Sequence, residues 1–404
     1  MTGGPLVSIV TPSLNQRPFI EATIESVLSQ DYPNIEYIVV DGGSTDGTLD
    51  VLRKYEGRLQ WTSEPDGGQS AAINKGFRRA RGDILAWLNS DDTYLPGAVR
   101  TAVEHLLLNP ECAMVYGEGY VIDEQGRVTH RFPATEPFNL WKLVYVIDYI
   151  LQQTAFFRRT AVEAVGYLDE HLHWSMDWDL FIKIGKRFRV DHIPQDMANL
   201  REHRSAKTMS GGRARLAELL ELMRRHGSRR YPPGYFGYGV DTYFRLVFDA
   251  LAQRAPDRLT RVLLRVERLL ERPTYGLVGR LFREAQGLHA DGWIAGTAHF
   301  LLPRAPDGRS LVVRGALPVL SRSRRRVRLR AVANGLPLGD REVEAGDFEV
   351  AWDLPPSLRE ASVVEIRLEC DPTFRPSPIL FRGDRRRLGC QLKAIVIEPT
   401  VCDR

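Results

Sequence analysis

The first 125 residues alternate between short apolar runs and segments with helical spacing, and this alternation limits the fold more than any other feature. The apolar runs include VSIVTPS (7–13), IEYIVVDGG (35–43) and DILAWLNSDD (83–92). Amphipathic segments such as PFIEATIESVLSQ and QSAAINKGFRRA lie between these runs. Apolar strands that alternate with helices predict an α/β fold, in which a mostly parallel sheet is covered by helices on both faces.

Polar residues follow the predicted strands at the point where each strand ends. The strand ends read TPS, DGGSTDG, EPDGGQ and NSDD in chain order. In a parallel sheet these ends meet at one edge, where open α/β sheets bind their ligands. No GxGxxG follows the first strand and no GxxxxGK[ST] is present, which argues against dinucleotide-binding and P-loop proteins.

The residue pattern of the chain changes twice after this region. Residues 213–285 are helical in pattern and basic, with 15 Arg against 8 Asp and Glu up to Glu284, and YPPGYFGYG (231–239) interrupts them as a linker or hinge. From about residue 286, short strands and turn residues recur every 10 to 15 positions, which is typical of a β-sandwich. We expect three regions: an α/β domain (1–212), a helical basic connector (213–285) and a β-sandwich (286–404).

Bulk properties indicate an ordinary soluble protein. The chain is 43% apolar and 26% charged, and no apolar run approaches the roughly 18 residues that cross a bilayer. The N-terminus has no signal-peptide pattern, so we expect a cytosolic location. The four cysteines lack metal-site spacing, and reduced thiols are expected. Nucleic acid is not expected as a partner, because no helix-turn-helix, zinc or RNP pattern appears and aromatic residues do not interleave with the arginines.

Asp91 and Asp92 end an apolar strand and are the first candidates for chemistry. Two carboxylates suit Mg²⁺ or Mn²⁺, because substrate phosphates complete the coordination shell of such an ion. The alternative is that Asp91 or Asp92 simply caps the helix that follows. Asp41 ends a neighbouring predicted strand. A carboxylate there would accept the ring N–H of uracil, thymine or guanine, whereas adenine and cytosine offer no such donor.

These residues carry a resemblance to a known family. The stretch from VSIVTPSLNQRPF to VVDGGSTDGTLDVLRKY, followed by EPDGGQSAAINKGFRRARGDILAWLNSDD, resembles the nucleotide-binding part of family 2 glycosyltransferases with the GT-A fold, over about the first 210 residues. The resemblance implies that Asp91 and Asp92 bind a divalent cation and the sugar nucleotide, with Asn89 where many members have the first Asp. The residues implied at the donor site are Thr11, Pro12, Asp41, Asp66, Lys75 and Asp91.

The same resemblance implies an acid–base group and a basic segment. Asp177, in SMDWDLFIKI, occupies the position of the Asp that deprotonates the acceptor hydroxyl, while an N-cap role is the alternative. The segment NLREHRSAKTMS contains Arg201, His203 and Lys207, which either close over the pyrophosphate or lie on a charged surface loop. His203 is also a candidate metal ligand.

The predicted function is that of an inverting glycosyltransferase. It would move a sugar from a nucleoside-diphosphate sugar (UDP or TDP favoured, GDP also considered) to a hydroxyl of a glycan or lipid-linked acceptor in bacterial surface polysaccharide synthesis, with Mn²⁺ or Mg²⁺. The β-sandwich would bind the acceptor or mediate homo-oligomerisation, and the basic connector would contact an anionic membrane peripherally. The alternatives are a non-catalytic glycan-binding or scaffolding protein and a sugar nucleotidyltransferase, although the latter would carry a glycine-rich loop where TPSLNQRPF has no glycine.

Overall fold

The structure is a computed structural model that describes residues 4–133, 135–203, 207, 211–254, 286–289, 292–304, 307–317, 326–358, 360–373 and 388–399. The chain divides into two compact units, one of Met1–Asn139 with Ile147–Arg230 and one of Leu140–Val146 with Tyr231–Arg404. Most of the basic connector, residues 255–285, and the arginine-rich residues 321–325 lie outside the described residues. The domain boundaries at 212/213 and 285/286 stay predictions.

The first unit alternates strands and helices as the sequence predicts. Its elements begin with β1 (Val7–Ser13), α1 (Ile20–Leu28), β2 (Ile35–Asp41), α2 (Thr48–Lys54), β3 (Gln60–Ser63), α3 (Gln69–Arg79), β4 (Ile84–Trp87), β5 (Thr93–Tyr94), α4 (Ala98–Leu108), β6 (Cys112–Ile122) and β7 (Val128–Arg131). After α5 (Leu140–Tyr145), which belongs to the second unit, follow a 3-10 turn (Gln152–Thr154), β8 (Phe156–Arg158), α6 (Arg159–Val165), α7 (Met176–Gly185), β9 (Arg189–Arg201) and α8 (Gly212–His226).

One mixed sheet of nine strands forms the centre of this unit. Its order is β3-β2-β1-β4-β8-β6-β9-β5, with β7 paired to β6. β1 is parallel to β2 and β4, and β2 is parallel to β3, so these four strands end at one edge. β8 is antiparallel to both neighbours. The predicted α/β class is confirmed, and the polar strand ends share one edge of the sheet.

The helices pack on the sheet through faces that the sequence encodes. In α1 the buried residues Ile20, Thr23, Ile24 and Val27 follow the spacing of one helical face. In α3 a Cβ on Gly76 would lie 2.4 Å from Val10 Cγ1, so glycine lets this helix approach β1 closely. This approach fixes the beginning of α3, which carries Gln69, beside the edge where the strands end.

The second unit contains the predicted β-sandwich. After α9 (Pro233–Arg254) come β10 (Thr297–Pro303), β11 (Ser310–Leu317), β12 (Arg326–Ala333), β13 (Leu336–Glu344), β14 (Gly346–Asp353), β15 (Val363–Asp371) and β16 (Gln391–Glu398). They form an antiparallel sheet β10-β15-β12-β13 and another of order β14-β11-β16. One apolar core contains residues of both sheets, including Leu311, Leu329, Trp352 and Ile366, and the β-sandwich class is therefore confirmed.

The YPPGYFGYG stretch behaves differently from its predicted role. The division between the units falls at its first residue, Tyr231, but the helix α9 already begins at Pro233 and includes the glycines. Proline suits the first turn of a helix because its missing N–H would have no helical partner there.

Among the described helices, none is both long enough and apolar enough to cross a membrane.

Candidate active site

The two aspartates after β4 face different surroundings. Asp92 is buried, and its Oδ1 accepts a hydrogen bond from the Arg201 N–H at 2.8 Å. Its Oδ2 accepts from Gln153 Nε2 at 2.6 Å and from Asn89 Nδ2 at 3.1 Å. Burial, together with the charge on Asp91, raises the pKa of Asp92 well above its ordinary value. Asp92 is therefore held inside the protein by both of its oxygens.

Asp91 lies beside an imidazole. His203 Nε2 is 2.9 Å from Asp91 Oδ2, and Arg201 Nε donates to the backbone carbonyl of Asp91 at 2.7 Å. Phe19 supports both partners, because its ring centroid lies 4.7 Å from that of His203 and 5.2 Å from the Arg201 guanidinium. A carboxylate oxygen and an imidazole nitrogen side by side are ligands that Mn²⁺ accepts, and they fit the predicted cation.

An amide chain leads from Asp92 to a lysine. Asn89, which bonds Asp92 through Nδ2, accepts a hydrogen bond at Oδ1 from Gln69 Nε2 at 2.8 Å. Gln69 Oε1 in turn accepts from Lys207 Nζ at 3.0 Å. Asn89 also donates to Gln152 Oε1 at 3.1 Å. The amide at position 89 thus joins the strand end to the beginning of α3 and to the segment after β9.

Asp177 lies in the first turn of α7, and its Oδ1 accepts a hydrogen bond from the N–H of Trp178 at 2.8 Å. Burial raises the pKa of Asp177, while the positive charges of Lys207 and Arg215 oppose that rise. Burial also lowers the pKa of Lys207, against the charges of Asp177 and Glu218. Lys207 thus donates to Gln69, and its positive charge favours the ionised form of Asp177.

A second carboxyl group accompanies Asp177. Burial, followed by the charge on Asp177, raises the pKa of Asp148 well above its ordinary value. Asp148 Oδ1 accepts a hydrogen bond from the Ile150 N–H at 3.0 Å. Two neighbouring carboxyls in a poorly solvated place favour retention of a proton on one of them.

The residues predicted for the base pocket are mostly interior. Thr11 and Pro12 are buried in β1, and Thr11 Oγ1 lies 3.0 Å from Tyr37 Oη. Asp41 is fully buried at the end of β2. Its Oδ1 accepts from the N–H groups of Gly43 and Ser44 at 3.0 and 2.9 Å and from Ser63 Oγ at 2.6 Å, and its Oδ2 accepts from Ser44 Oγ at 2.5 Å. Asp41 shapes the loop that follows β2.

Asp66 brings an exposed carboxylate to the same loop. A Cβ on Gly42 would lie 3.0 Å from Asp66 Oδ2, so only a residue without a side chain leaves this carboxylate undisturbed. Asp66 Oδ1 accepts a hydrogen bond from the Gly68 N–H at 2.8 Å, immediately before α3. Lys75, farther along α3, pairs with Glu64 at the end of β3. These two predicted residues therefore lie at the β2–β3 side of the sheet edge.

Sequence reasoning missed several residues that organise the site. Gln69, Gln152 and Gln153 supply the amide groups around Asn89 and Asp92, and Asp148 accompanies Asp177. The polar QQT (152–154) between apolar Tyr149–Leu151 and Ala155–Phe157 was an available signal, because buried amides of this kind require partners.

A separate group of potential metal ligands lies away from this edge. The ligand atoms of His105, Cys112 and Asp191 are within 4.8 Å of one another. Cys112 and Asp191 are at the beginning of β6 and β9, opposite the edge where β4 ends. Arg189 bonds both oxygens of Asp191 at 2.8 Å, so that carboxylate is already paired. The group is not part of the candidate active site.

Comparison with known proteins gives one family. Residues 8–166 match the family described as glycosyl transferase family 2. An uncharacterized glycosyltransferase of Mycobacterium tuberculosis (strain H37Rv) is 31% identical over 242 residues, which cover 58% of this chain and 88% of that protein. TuaG of Bacillus subtilis, which is named as a teichuronic acid biosynthesis glycosyltransferase, is 37% identical over 132 residues. These residues cover 32% of this chain and 52% of TuaG.

Solved structures give more distant likenesses. S. aureus TarS residues 1–349 in complex with UDP-GlcNAc has 18% sequence identity and a TM-score of 0.46, and the match covers 70% of this chain and 92% of that one. The mannosyltransferase PcManGT of Pyrobaculum calidifontis, in complex with GDP-Man and Mn²⁺, has 20% identity and a TM-score of 0.46, with coverage of 69% and 84%.

Proposed function

The chain belongs to glycosyl transferase family 2, and we propose that it transfers a sugar from a nucleoside-diphosphate sugar to an acceptor hydroxyl with inversion at the anomeric carbon. One observation carries the proposal. The hydrogen bonds from Asp92 through Asn89 and Gln69 reach Lys207, whose charge acts on Asp177. These contacts support a site that is shared by the carboxylates after β4 and the carboxyl at the beginning of α7.

The reaction needs a proton acceptor on one side of the sugar and charge stabilisation on the other. We assign the first role to Asp177, which takes the proton of the acceptor hydroxyl as its oxygen attacks the anomeric carbon. The bond from that carbon to the diphosphate oxygen breaks in the same step, and the nucleoside diphosphate leaves. A single displacement inverts the anomeric configuration. To the ammonium group of Lys207, which donates to Gln69, we assign the stabilisation of negative charge on the leaving group.

Asp91 and His203 are the residues that would hold a divalent cation, Mn²⁺ or Mg²⁺. Asp92 contributes indirectly, because both of its oxygens already accept hydrogen bonds and its backbone carbonyl accepts from Thr23 Oγ1 at 2.7 Å. When bound, the cation would neutralise charge on the diphosphate. Asp92 thus fixes the turn that presents Asp91.

For the base, we assign complementary roles to Asp41 and Asp66. Asp41 holds the loop after β2 in shape, since its oxygens accept three hydrogen bonds from Gly43 and Ser44 and one from Ser63 at the end of β3. Asp66 presents an exposed carboxylate beside Gly42, where it can accept the ring N–H of uracil or thymine, and also of guanine. We also propose that Thr11 and Pro12, which are buried in β1, line the base pocket, and that Lys75, which pairs with Glu64, lines the donor site.

The setting that we propose is the synthesis of a bacterial surface polysaccharide. The name of TuaG supports this setting, although the match covers only about half of the length of TuaG. The acceptor would be a glycan or a lipid-linked saccharide, which the β-sandwich binds or positions, with homo-oligomerisation as its other role. Peripheral membrane contact would come from the basic residues 213–285, in a protein that works at the cytoplasmic face.

A screen of donors tests the proposal. Purified protein is incubated with UDP-, TDP- and GDP-sugars in the presence of Mn²⁺ or of a chelator, and release of the nucleoside diphosphate is measured. We expect slow release from one class of donor with Mn²⁺ and none with the chelator. Binding without release for every donor would instead indicate a glycan-binding or scaffolding protein. In a parallel incubation with a nucleoside triphosphate and a sugar phosphate, release of pyrophosphate would indicate a nucleotidyltransferase.

A further inference from the structure

The chain that leads into α7 is held by a carboxylate from another helix. Glu218, in α8, accepts hydrogen bonds at Oε1 from the N–H groups of Trp174 and Ser175 at 2.7 and 2.9 Å. Its Oε2 accepts from the N–H of His173 at 2.8 Å. Three consecutive backbone donors thus converge on one side chain.

This arrangement replaces the usual local cap of a helix. Ser175 is the N-cap residue of α7, but it makes no side-chain hydrogen bond to its own helix. Its Oγ instead donates to Glu218 Oε1 at 2.8 Å. A negative charge at a helix N-terminus is stabilising because it faces the positive end of the helix dipole. Glu218 therefore fixes both the direction and the beginning of α7.

Two further contacts join the region of α8 to the region of α7. A Cβ on Gly211, the residue before α8, would lie 2.5 Å from the ring of Trp174, two residues before α7, so the two segments pack closely there. Near the end of α8, His226 Nε2 lies 2.7 Å from Asp179 Oδ1, and Asp179 also pairs with Lys183 at 3.1 Å. Asp177 lies between the Glu218 contact and the Asp179 contact. The position of its carboxylate therefore depends on α8 on either side.

We propose that Glu218 is a positioning residue for the transfer reaction, which holds Asp177 in place by anchoring residues 173–175 to α8. The inference rests on the proposed function, since it takes Asp177 as the base. Glu218 does not touch the reacting atoms. Its effect should appear in the rate of the chemical step and not in the affinity for the donor.

A second mode of action is distinguishable. The Glu218 charge also acts on Lys207, where it opposes the lowering of the pKa of that lysine. If Glu218 acted through Lys207, any loss of its charge would weaken donor binding. Glutamine separates the two modes, because it removes the charge but keeps Oε1, which makes three of the four hydrogen bonds.

The experiment compares Glu218→Ala, Glu218→Gln and Glu221→Ala, the last an exposed position on the same helix. Each variant is assayed for kcat, for the KM of the donor and for the Kd of the nucleoside diphosphate with Mn²⁺, and its fold is checked by circular dichroism. We expect kcat to fall about 10- to 100-fold in Glu218→Ala, as a displacement of the base by about 1 Å would cause. Glu218→Gln should recover most of that loss, and the nucleotide Kd should stay within about twofold in both.

Three results would overturn the inference: a kcat near that of the wild type in folded Glu218→Ala, equal losses in Glu218→Ala and Glu218→Gln, or a loss confined to nucleotide affinity. If Glu218→Ala does not fold, Glu218→Gln and Ser175→Ala decide. Ser175→Ala removes one of the four hydrogen bonds and should lower kcat by a smaller factor, and an unchanged kcat in both would reject the inference. Asp177→Asn is assayed in parallel, because full transfer in that variant would refute the proposed function whatever Glu218 does.

Discussion

The imidazole Nε2 of His203 lies 2.9 Å from Oδ2 of Asp91, although 112 residues separate them in the chain. Asp91 follows β4, whereas His203 follows β9, and the two strands are not neighbours in the sheet. The antiparallel pairing of β5 with β9, Thr93 with Asn199 and Tyr94 with Ala198, brings the two segments together. A pair of potential ligands is thus created by strand pairing and not by a local motif.

His203→Ala should weaken binding of the divalent cation without abolishing the fold. Loss of one ligand should raise the Mn²⁺ concentration that gives half-maximal activity by about 10- to 100-fold. The measurement is a Mn²⁺ titration of nucleoside diphosphate release. His171→Ala, at an exposed position, serves as the control. An unchanged titration curve for His203→Ala would remove this residue from the metal site.

Gln153→Met should disturb the support of Asp92. The substitution removes the 2.6 Å hydrogen bond to Asp92 Oδ2 and leaves a buried carboxyl with fewer partners. We expect the free energy of unfolding to fall by about 1–3 kcal/mol and activity to fall with it. Urea denaturation measures the first, with Gln60→Met on the exposed edge of β3 as the control. Equal stabilities for the two variants would contradict this role of Gln153.

Asp177 should set the acid limb of the pH–rate profile. It acts as a base only when ionised, and burial raises its pKa above the ordinary value of an aspartate. Activity should therefore decline, as pH falls, at a higher pH than an exposed aspartate would give. The measurement is kcat/KM against pH at constant ionic strength. A profile that stays flat down to the ordinary pKa of aspartate would contradict the assignment.

Asp148→Asn should stabilise the protein at alkaline pH. The folded-state pKa of Asp148 is raised, so the folded protein binds more protons than the unfolded chain between the two pKa values, and stability falls as pH rises through that window. Asparagine removes this dependence and keeps the Oδ1 that accepts from Ile150. Urea unfolding of both proteins at pH 5 and pH 8 measures the difference. The prediction is refuted if the gain in unfolding free energy of Asp148→Asn over the wild type is no larger at pH 8 than at pH 5.

Asp41→Asn and Asp66→Asn should separate stability from affinity. Asp41 accepts four hydrogen bonds in the interior, so its substitution should cost about 2–3 kcal/mol of unfolding free energy. Asp66 is exposed, and its substitution should leave stability within about 0.5 kcal/mol. Calorimetry should find that Asp66→Asn binds the nucleoside diphosphate about 10-fold more weakly. Unchanged affinity in that variant would exclude Asp66 from the base pocket.

The sequence predicted the sheet well because its strands are almost wholly apolar and end in polar loops. β1, β2 and β4 are buried along their whole length or nearly so, which gives the periodicity its clarity. The β-sandwich was predicted equally well, because apolar and polar residues alternate along its strands, as the alternating burial of β12 shows. The α9 helix was not, because glycines that usually break helices lie inside it.

The site was predicted less completely because side-chain direction depends on contacts that are distant in sequence. Asp91 and Asp92 are adjacent in the strand end, yet Arg201 and Gln153 draw Asp92 inward while His203 meets Asp91. No local pattern encodes that difference. Likewise, the SMDWDL stretch predicts a helix with Asp177 in its first turn. It does not predict the contact with Glu218, because that residue lies 43 positions beyond Ser175.

The central claim is that Asp177 performs the chemistry while other residues bind the donor. Asp177→Asn, compared with wild type, tests it in one experiment that combines calorimetric binding of the nucleoside diphosphate in Mn²⁺ with an assay of sugar transfer. We predict binding within about twofold of wild type and a loss of transfer of at least about 100-fold. Transfer at the wild-type rate, or a loss of nucleotide binding equal to the loss of transfer, would contradict the account.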